Sequence, residues 1–316
     1  MIIATDRVKP VIKRLAFEIC GVCNYKCTCC PQSLEGGREA QFNVMNSFKS
    51  FVELLDQIDG LEVVNLEGSG EPTLNKELPL YIAELTRRGI QSFIYTNGYK
   101  FKGKLLRDCL DAGLSLVRFS IMGYDRESYK KYMGKDAWDS VLENVQSAVN
   151  YSDGSRVGLY HLILDDNKDQ LDIYKNLAST FGTHSEVWKP HNWSGALDTV
   201  RKGKKKTCGR PFAPDLNVRA NNQVVPCSSV LGKDASAVLG DLNVDTLHDI
   251  LNNNLYSTLK LYHSTEQFDI IDYCKDCDFL YDDNSVLVYT NAPDVKMYQM
   301  KGVSFSLNEY RDNSNK

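Results

Sequence analysis

Cys23–Cys30 reads CNYKCTCC and follows directly on the largely apolar run LAFEICGV, residues 15–22. Three thiols in the spacing CxxxCxxC on one tight loop, Cys23, Cys27 and Cys30, can hold three irons of a [4Fe–4S] cube and leave the fourth without a protein ligand. An open iron is a place for chemistry. A structural zinc site closes its shell with four ligands, usually as two separated pairs, so this spacing fits zinc poorly.

The chain of 316 residues carries 10 cysteines and a net charge of −4. Its first residues, MIIATDRVKPVIKR, are too polar and too short for a signal peptide, and no apolar run reaches membrane-spanning length. A cytoplasmic location with reduced thiols is therefore expected, and clustered cysteines there bind metal or do chemistry more often than they cross-link. The small net charge gives no general affinity for nucleic acid or membrane.

Read for period, the first two-thirds alternates short β-rich runs with amphipathic stretches, the pattern of a parallel sheet built from βα units. Strands are expected near Leu15–Ile19, Val63–Glu67, Ser92–Thr96, Leu116–Ser120, Val157–Leu164 and Glu186–Lys189. Between them, Ser47–Ile58, Glu77–Arg88, Gly103–Ala112 and Ala137–Tyr151 repeat apolar residues at three and four, as helices do. Six units predict an α/β fold, a partial (β/α)6 barrel, whose chemistry belongs at the carboxyl ends of the strands.

Four motifs fall at those ends. After the cysteine loop come GSGEPTL (68–74), YTNG (95–98) and RFSIMG (118–123). Each alone reads equally as a turn or a loop cap. In this order, over Ala16 to Asn192, they resemble the core of the radical SAM enzymes. The resemblance implies that S-adenosylmethionine chelates the open iron, that Ser69, Gly70 and Glu71 receive its methionine amino group, and that Thr96, Asn97 and Ser120 contact the ribose or carboxylate. Three departures stand out: Ser69 replaces a glycine, Cys29 stands where an aromatic residue often packs on adenine, and Met133-Gly134 stands where an arginine often precedes the glycine. The last leaves Lys130, Lys131 or backbone groups to hold the carboxylate.

A second set, Cys208, Cys227, Cys274 and Cys277, can close one site completely, as a second [4Fe–4S] cluster or a structural zinc, and by spacing alone zinc fits as well or better. LNVRANNQVVPC predicts a hairpin turning at Asn221-Asn222, and TLHDILNNNLYSTLKLYH predicts one helix. Hairpin, helix, then CxxC is similar to the twitch domain, the shortened form of SPASM, which implies one auxiliary cluster and two [4Fe–4S] clusters in all. The expected organisation is a barrel at 1–200, a small α+β auxiliary iron–sulfur domain at 201–282, and an extension of unreadable role at 283–316. Cys109 reads as core, and Cys20 and Cys29 as packing or as hydrogen donors.

His191, in VWKPHNWSG (187–195), would sit at the barrel mouth as a general base, a substrate-orienting group or a structural histidine. RKGKKK (201–206) reads as a solvated loop, with a phosphorylated substrate as the alternative. The cysteine spacings 19, 47 and 3 resemble those of twitch enzymes of the deoxy-scyllo-inosamine dehydrogenase type. That resemblance implies an oxidoreductase that oxidises or epimerises a hydroxylated carbon of a sugar or aminocyclitol, reduced by a low-potential donor such as flavodoxin or ferredoxin. A peptide-modifying maturase is the alternative, although only 22 residues precede Cys23. A cysteine-rich zinc module is the non-enzyme reading.

Overall fold

The computed structural model describes residues 8–33, 44–152, 154–164, 167–197, 203–230, 235–281 and 287–291. Strands β1 (Arg14–Phe17), β2 (Val63–Asn65), β3 (Gln91–Thr96), β4 (Leu116–Ser120), β5 (Val157–Leu162) and β6 (His184–Trp188) lie side by side in chain order. Every neighbouring pair among these six is parallel, so the expected α/β partial barrel forms.

The crossovers are α1 (Phe48–Leu55), α2 (Leu78–Arg87), α3 (Gly103–Asp111), α4 (Arg126–Met133) with α5 (Trp138–Ser152), and α6 (Leu171–Phe181). Apolar spacing turns one face of each helix onto the sheet: α1 buries Phe51, Leu54 and Leu55, and α5 buries Val141, Val145 and Ala148. Each large apolar side chain so buried contributes about 1.5–3 kcal/mol. Local chemistry sets the ends. Ser47 accepts the Ser50 N–H to start α1, and Asp125 and Ser128 form a capping box on α4.

The sheet does not stop at β6 or β1. β7 (Asp215–Val218) adds parallel to β1, followed by antiparallel β8 (Gln223–Val225) and β9 (Gly240–Asp241), so the segment carrying the second cysteines extends the same ten-stranded sheet. Arg14 locks that junction with a bidentate pair to Asp215, at 2.6 and 2.9 Å. The hairpin turns at Asn221-Asn222, with Asn222 in the left-handed region at φ 69°.

Two expectations change. The single helix predicted around residues 246–263 is two, α7 (Leu247–Leu251) and α8 (Asn254–Ser264), because Asn253 leaves the helix to accept the Tyr256 N–H as an N-cap. The extension also has one readable part. Its β10 (Leu287–Thr290) pairs antiparallel with β6 and covers that edge of the sheet. The remainder of 283–316, apart from 287–291, lies outside the described residues.

Candidate active site

The strand-end loops converge on a cavity of about 320 Å³. Cys23, Cys27, Cys29 and Cys30 form one wall, and the expected Ser69, Gly70, Glu71, Thr96, Asn97 and Ser120 all line it. His191, Arg210 and Phe279 line it toward the second cysteine set.

The cysteine loop is seated on the end of α4. The Thr28 N–H donates to the Tyr132 carbonyl at 2.9 Å, and Cys27 Sγ lies 3.9 Å from Met133 Sδ. Gly134 ends α4 at φ 67°, and a Cβ there would stand 2.4 Å from the Lys26 carbonyl oxygen. Met133-Gly134 is thus a packing device for the cysteine loop. Lys130 and Lys131 lie on the exposed face of α4 and neither lines the cavity, so a carboxylate bound there meets other groups.

Burial pushes the Cys23 thiol up to about 12, and Cys27 well above the usual range with the neighbouring thiols adding to it. Such thiols become good ligands only beside a compensating cation. Cys23, Cys27 and Cys30 line the same wall, and in a [4Fe–4S] cube each thiol would take its own iron.

Glu71 is buried and saturated. Its Oε1 accepts from the Thr73 N–H at 3.1 Å, the Thr73 hydroxyl at 2.6 Å and the Thr96 hydroxyl at 2.6 Å, and its Oε2 accepts from the Asn97 N–H at 2.8 Å. Burial raises its pKa, and these four donors pull the other way. Glu71 therefore ties the end of β2 to the end of β3, and Asn97 continues the chain by donating to Asn24 Oδ1 in the cysteine loop at 2.8 Å. At Gly70 a Cβ would stand 2.0 Å from the Cys20 carbonyl oxygen, so only glycine lets this loop meet the cysteine loop.

His191 stacks on Trp193 at 4.2 Å and on Phe279 at 5.1 Å, and its Nδ1 accepts the Trp193 N–H at 3.2 Å. In the neutral ring that bond places the proton on Nε2. Its neighbour Asn192 is structural: its N–H donates to Asp278 Oδ2 at 2.8 Å and its amide donates to the Asp276 carbonyl at 2.6 Å, beside Cys277.

In the second set, burial pushes Cys277 up to about 12, and Cys208 and Cys274 also rise. Cys274 Sγ lies 3.6 Å from His263 Nε2. Arg210 stands beside Cys208, Cys227 and Cys277; burial works against its charge, but these thiols hold its pKa above the ordinary value. A fixed cation between these thiols and the cavity fits a thiolate-bound group of net negative charge. Of the basic run, Arg201 and Lys202 lie outside the described residues, and Lys205 is held by Asp269 at 2.5 Å.

A model of the "Radical SAM superfamily" matches residues 17–177. The chain belongs to that superfamily. It is accordingly a radical SAM enzyme of the kind that uses S-adenosylmethionine with an iron–sulfur cluster, and a second model, "Iron-sulfur cluster-binding domain" (SPASM), matches residues 208–278. A probable GTP 3′,8-cyclase of Sulfurisphaera tokodaii is 30% identical over 178 residues, 56% of this chain and 55% of that one. The chain spans about half the length of the curated relatives it matches. Among solved structures, BtrN in complex with AdoMet and 2-DOIA aligns with a TM-score of 0.61 at 18% identity, covering 85% of this chain and 94% of BtrN. SuiB of Streptococcus suis bound to precursor peptide SuiA aligns at 0.64 and 13%, covering 85% and 70%. Native anSMEcpe with bound AdoMet aligns at 0.61 and 15%, covering 96% and 98%. These likenesses establish the fold.

Several residues that line or brace the cavity escaped the reading of motifs. Glu18, fully buried at the end of β1, accepts from the Ser69 and Gly70 N–H groups and from the Ala220 N–H of the auxiliary hairpin turn. Inside the barrel, Arg118 pairs with Glu186 at 2.6 Å and lies against the rings of Phe93 and Tyr95 at 4.8 and 4.9 Å. The signal was in the strands: Asn65 and Glu67 alternate with buried Val64 and Leu66, and an arginine sits within LVRFS. Barrel interiors are normally filled by branched apolar side chains, so polar residues on the inward face mark a chamber.

Among the described residues no helix is long and apolar enough to cross a membrane.

Proposed function

We propose that the chain oxidises or epimerises a hydroxylated carbon of a small sugar or aminocyclitol, with S-adenosylmethionine bound across the strand ends. The observation that carries this is the single cavity running from the Cys23, Cys27 and Cys30 wall, past the strand-end loops, to Arg210 beside the second thiol set. Cys23, Cys27 and Cys30 would hold one [4Fe–4S] cluster, and Cys208, Cys227, Cys274 and Cys277 a second. When bound, the cofactor and clusters supply one-electron chemistry able to remove a hydrogen atom from an unactivated carbon.

The protein's own groups then bind and orient. Backbone groups at Ser69 and Gly70, positioned by Glu18, receive the methionine end; Glu71 and Asn97 hold that loop against the cysteine loop; Ser120 offers a hydroxyl to the ribose. His191, held by Trp193, orients the substrate by donation from Nε2 and takes part in proton exchange at the mouth of the cavity. If the outcome is inversion, Cys29 is the hydrogen donor in preference to Cys20, since Cys29 lines the cavity and the Cys20 thiol donates to the Val22 carbonyl at 3.4 Å. A low-potential carrier such as flavodoxin or ferredoxin is the expected reductant. The likeness to SuiB favours a peptide substrate as the second reading.

Anaerobic reconstitution tests the assignment. About eight irons per chain are expected, and about four, without cleavage of S-adenosylmethionine, after joint replacement of Cys23, Cys27 and Cys30 by alanine. Stoichiometric zinc in place of iron overturns it.

A further inference from the structure

Three shielded polar atoms inside the barrel have no hydrogen-bond partner among the described residues: Asn65 Oδ1, Glu67 Oε2 and Tyr95 Oη. Their residues are only partly buried although they lie within the sheet's concave face, and all three line the cavity. Unpaired buried acceptors of this kind are destabilising, and the loss is recovered when a ligand supplies donors.

The arginines around them are already engaged. Arg118 is paired with Glu186, and Arg14 with Asp215, the pair where β1 meets β7 on the same cavity. Arg210 is committed to the second thiol set, and Lys189 is exposed near the mouth. Glu67 makes no ion pair among the described residues. A buried carboxylate without an ion pair is tolerated only when a cation or a proton joins it.

We infer that the compartment around Glu67 is a subsite for a protonated amine on a small hydroxylated substrate, with the Glu67 carboxylate as counter-ion and Asn65 Oδ1 and Tyr95 Oη as hydrogen-bond acceptors. This rests on the proposed function and deepens it, because it specifies the substrate's charge and where that charge sits. With no ligand bound, burial pushes the Glu67 carboxyl up to about 8, the Arg118 charge and the Tyr95 N–H oppose this, and Glu186 adds to it. Tyr95 and Tyr160, the remaining titratable groups facing it from β3 and β5, stay neutral because burial raises both. At neutral pH the empty site thus carries a proton that an ammonium must displace. Affinity for the amine rises with pH and levels off above about 8.

The test uses the reconstituted protein and three probes: trans-2-aminocyclohexanol, the matching cyclohexanediol, and N-acetyl-lysine methylamide. Calorimetry in buffers of different ionisation enthalpy is expected to show the aminocyclohexanol binding about tenfold or more tighter than the diol, with release of close to one proton at neutral pH. Glu67→Gln removes the preference and the proton release while diol binding, iron content and S-adenosylmethionine binding stay at wild-type values. Tyr95→Phe weakens the amine by a smaller factor. Equal affinity for amine and diol, no amine binding at millimolar concentration, or an unchanged amine affinity in Glu67→Gln overturns the subsite. Tighter binding of the lysine probe than of the aminocyclohexanol overturns the small-molecule source. Iron loading and cofactor cleavage in the wild type are read separately, so failure of the proposed function is distinguishable from failure of the subsite.

Discussion

Glu71 accepts four hydrogen bonds from three residues, and one of its oxygens takes three of them. Glu71→Gln replaces one acceptor with a donor that faces the Asn97 N–H or the threonine hydroxyls, so the loop loosens at a cost of about 1–3 kcal/mol. Weaker S-adenosylmethionine binding with unchanged iron content is expected, measured by equilibrium dialysis beside an iron assay; loss of iron would make Glu71 part of the cluster's support instead. Glu67 gives a pH signature. Its native pKa, near 8, lies above the unfolded carboxylate value, so the native state holds the extra proton between about 4.5 and 8. Stability from this group is full below the unfolded value and is lost as pH rises through 8. Denaturant melts of the ligand-free protein should therefore lose stability over that window, and Glu67→Gln should flatten the loss. A parallel profile in the variant would refute the assignment.

The loop after β6 and the CxxC loop behave as one unit, because Asn192 exchanges hydrogen bonds with Asp276 and Asp278. Asn192→Ala leaves buried partners unsatisfied, so a loss of about 1–3 kcal/mol and faster release of iron from the second site alone are expected, read by chelator challenge. His191→Ala, one residue earlier, should keep both iron sites and still permit cofactor cleavage, with substrate turnover down about 10²-fold. Wild-type turnover in that variant would leave His191 without a role in the reaction. The helix pair α7 and α8 illustrates why element boundaries were hard to read: a continuous apolar period was interrupted by the capping side chain of Asn253, which competes locally with the backbone.

One sheet of ten strands carries both cysteine sets, and its two outer flanks come from the segments after the barrel. β10 covers the edge of β6, so truncation after Tyr281 should expose an unpaired strand, lower the melting temperature and promote self-association, measured by calorimetry and light scattering. A truncated chain that melts as the full one does would show β10 to be dispensable.

The six parallel strands, four of the helices between them, the two cysteine sets and the strand-end motifs were legible in the sequence, because periodicity and spacing are local properties of the chain. The turn at Asn221-Asn222 was legible for the same reason. The site's wiring was not legible. Glu18 meets Ser69 and Ala220 across 51 and 202 residues, β7 joins β1 across a similar interval, and no local pattern encodes such pairings. A period of two says that Asn65 and Glu67 share a face, but only the curvature of the partial barrel turns that face toward the cavity and makes an ordinary polar pair part of a chamber.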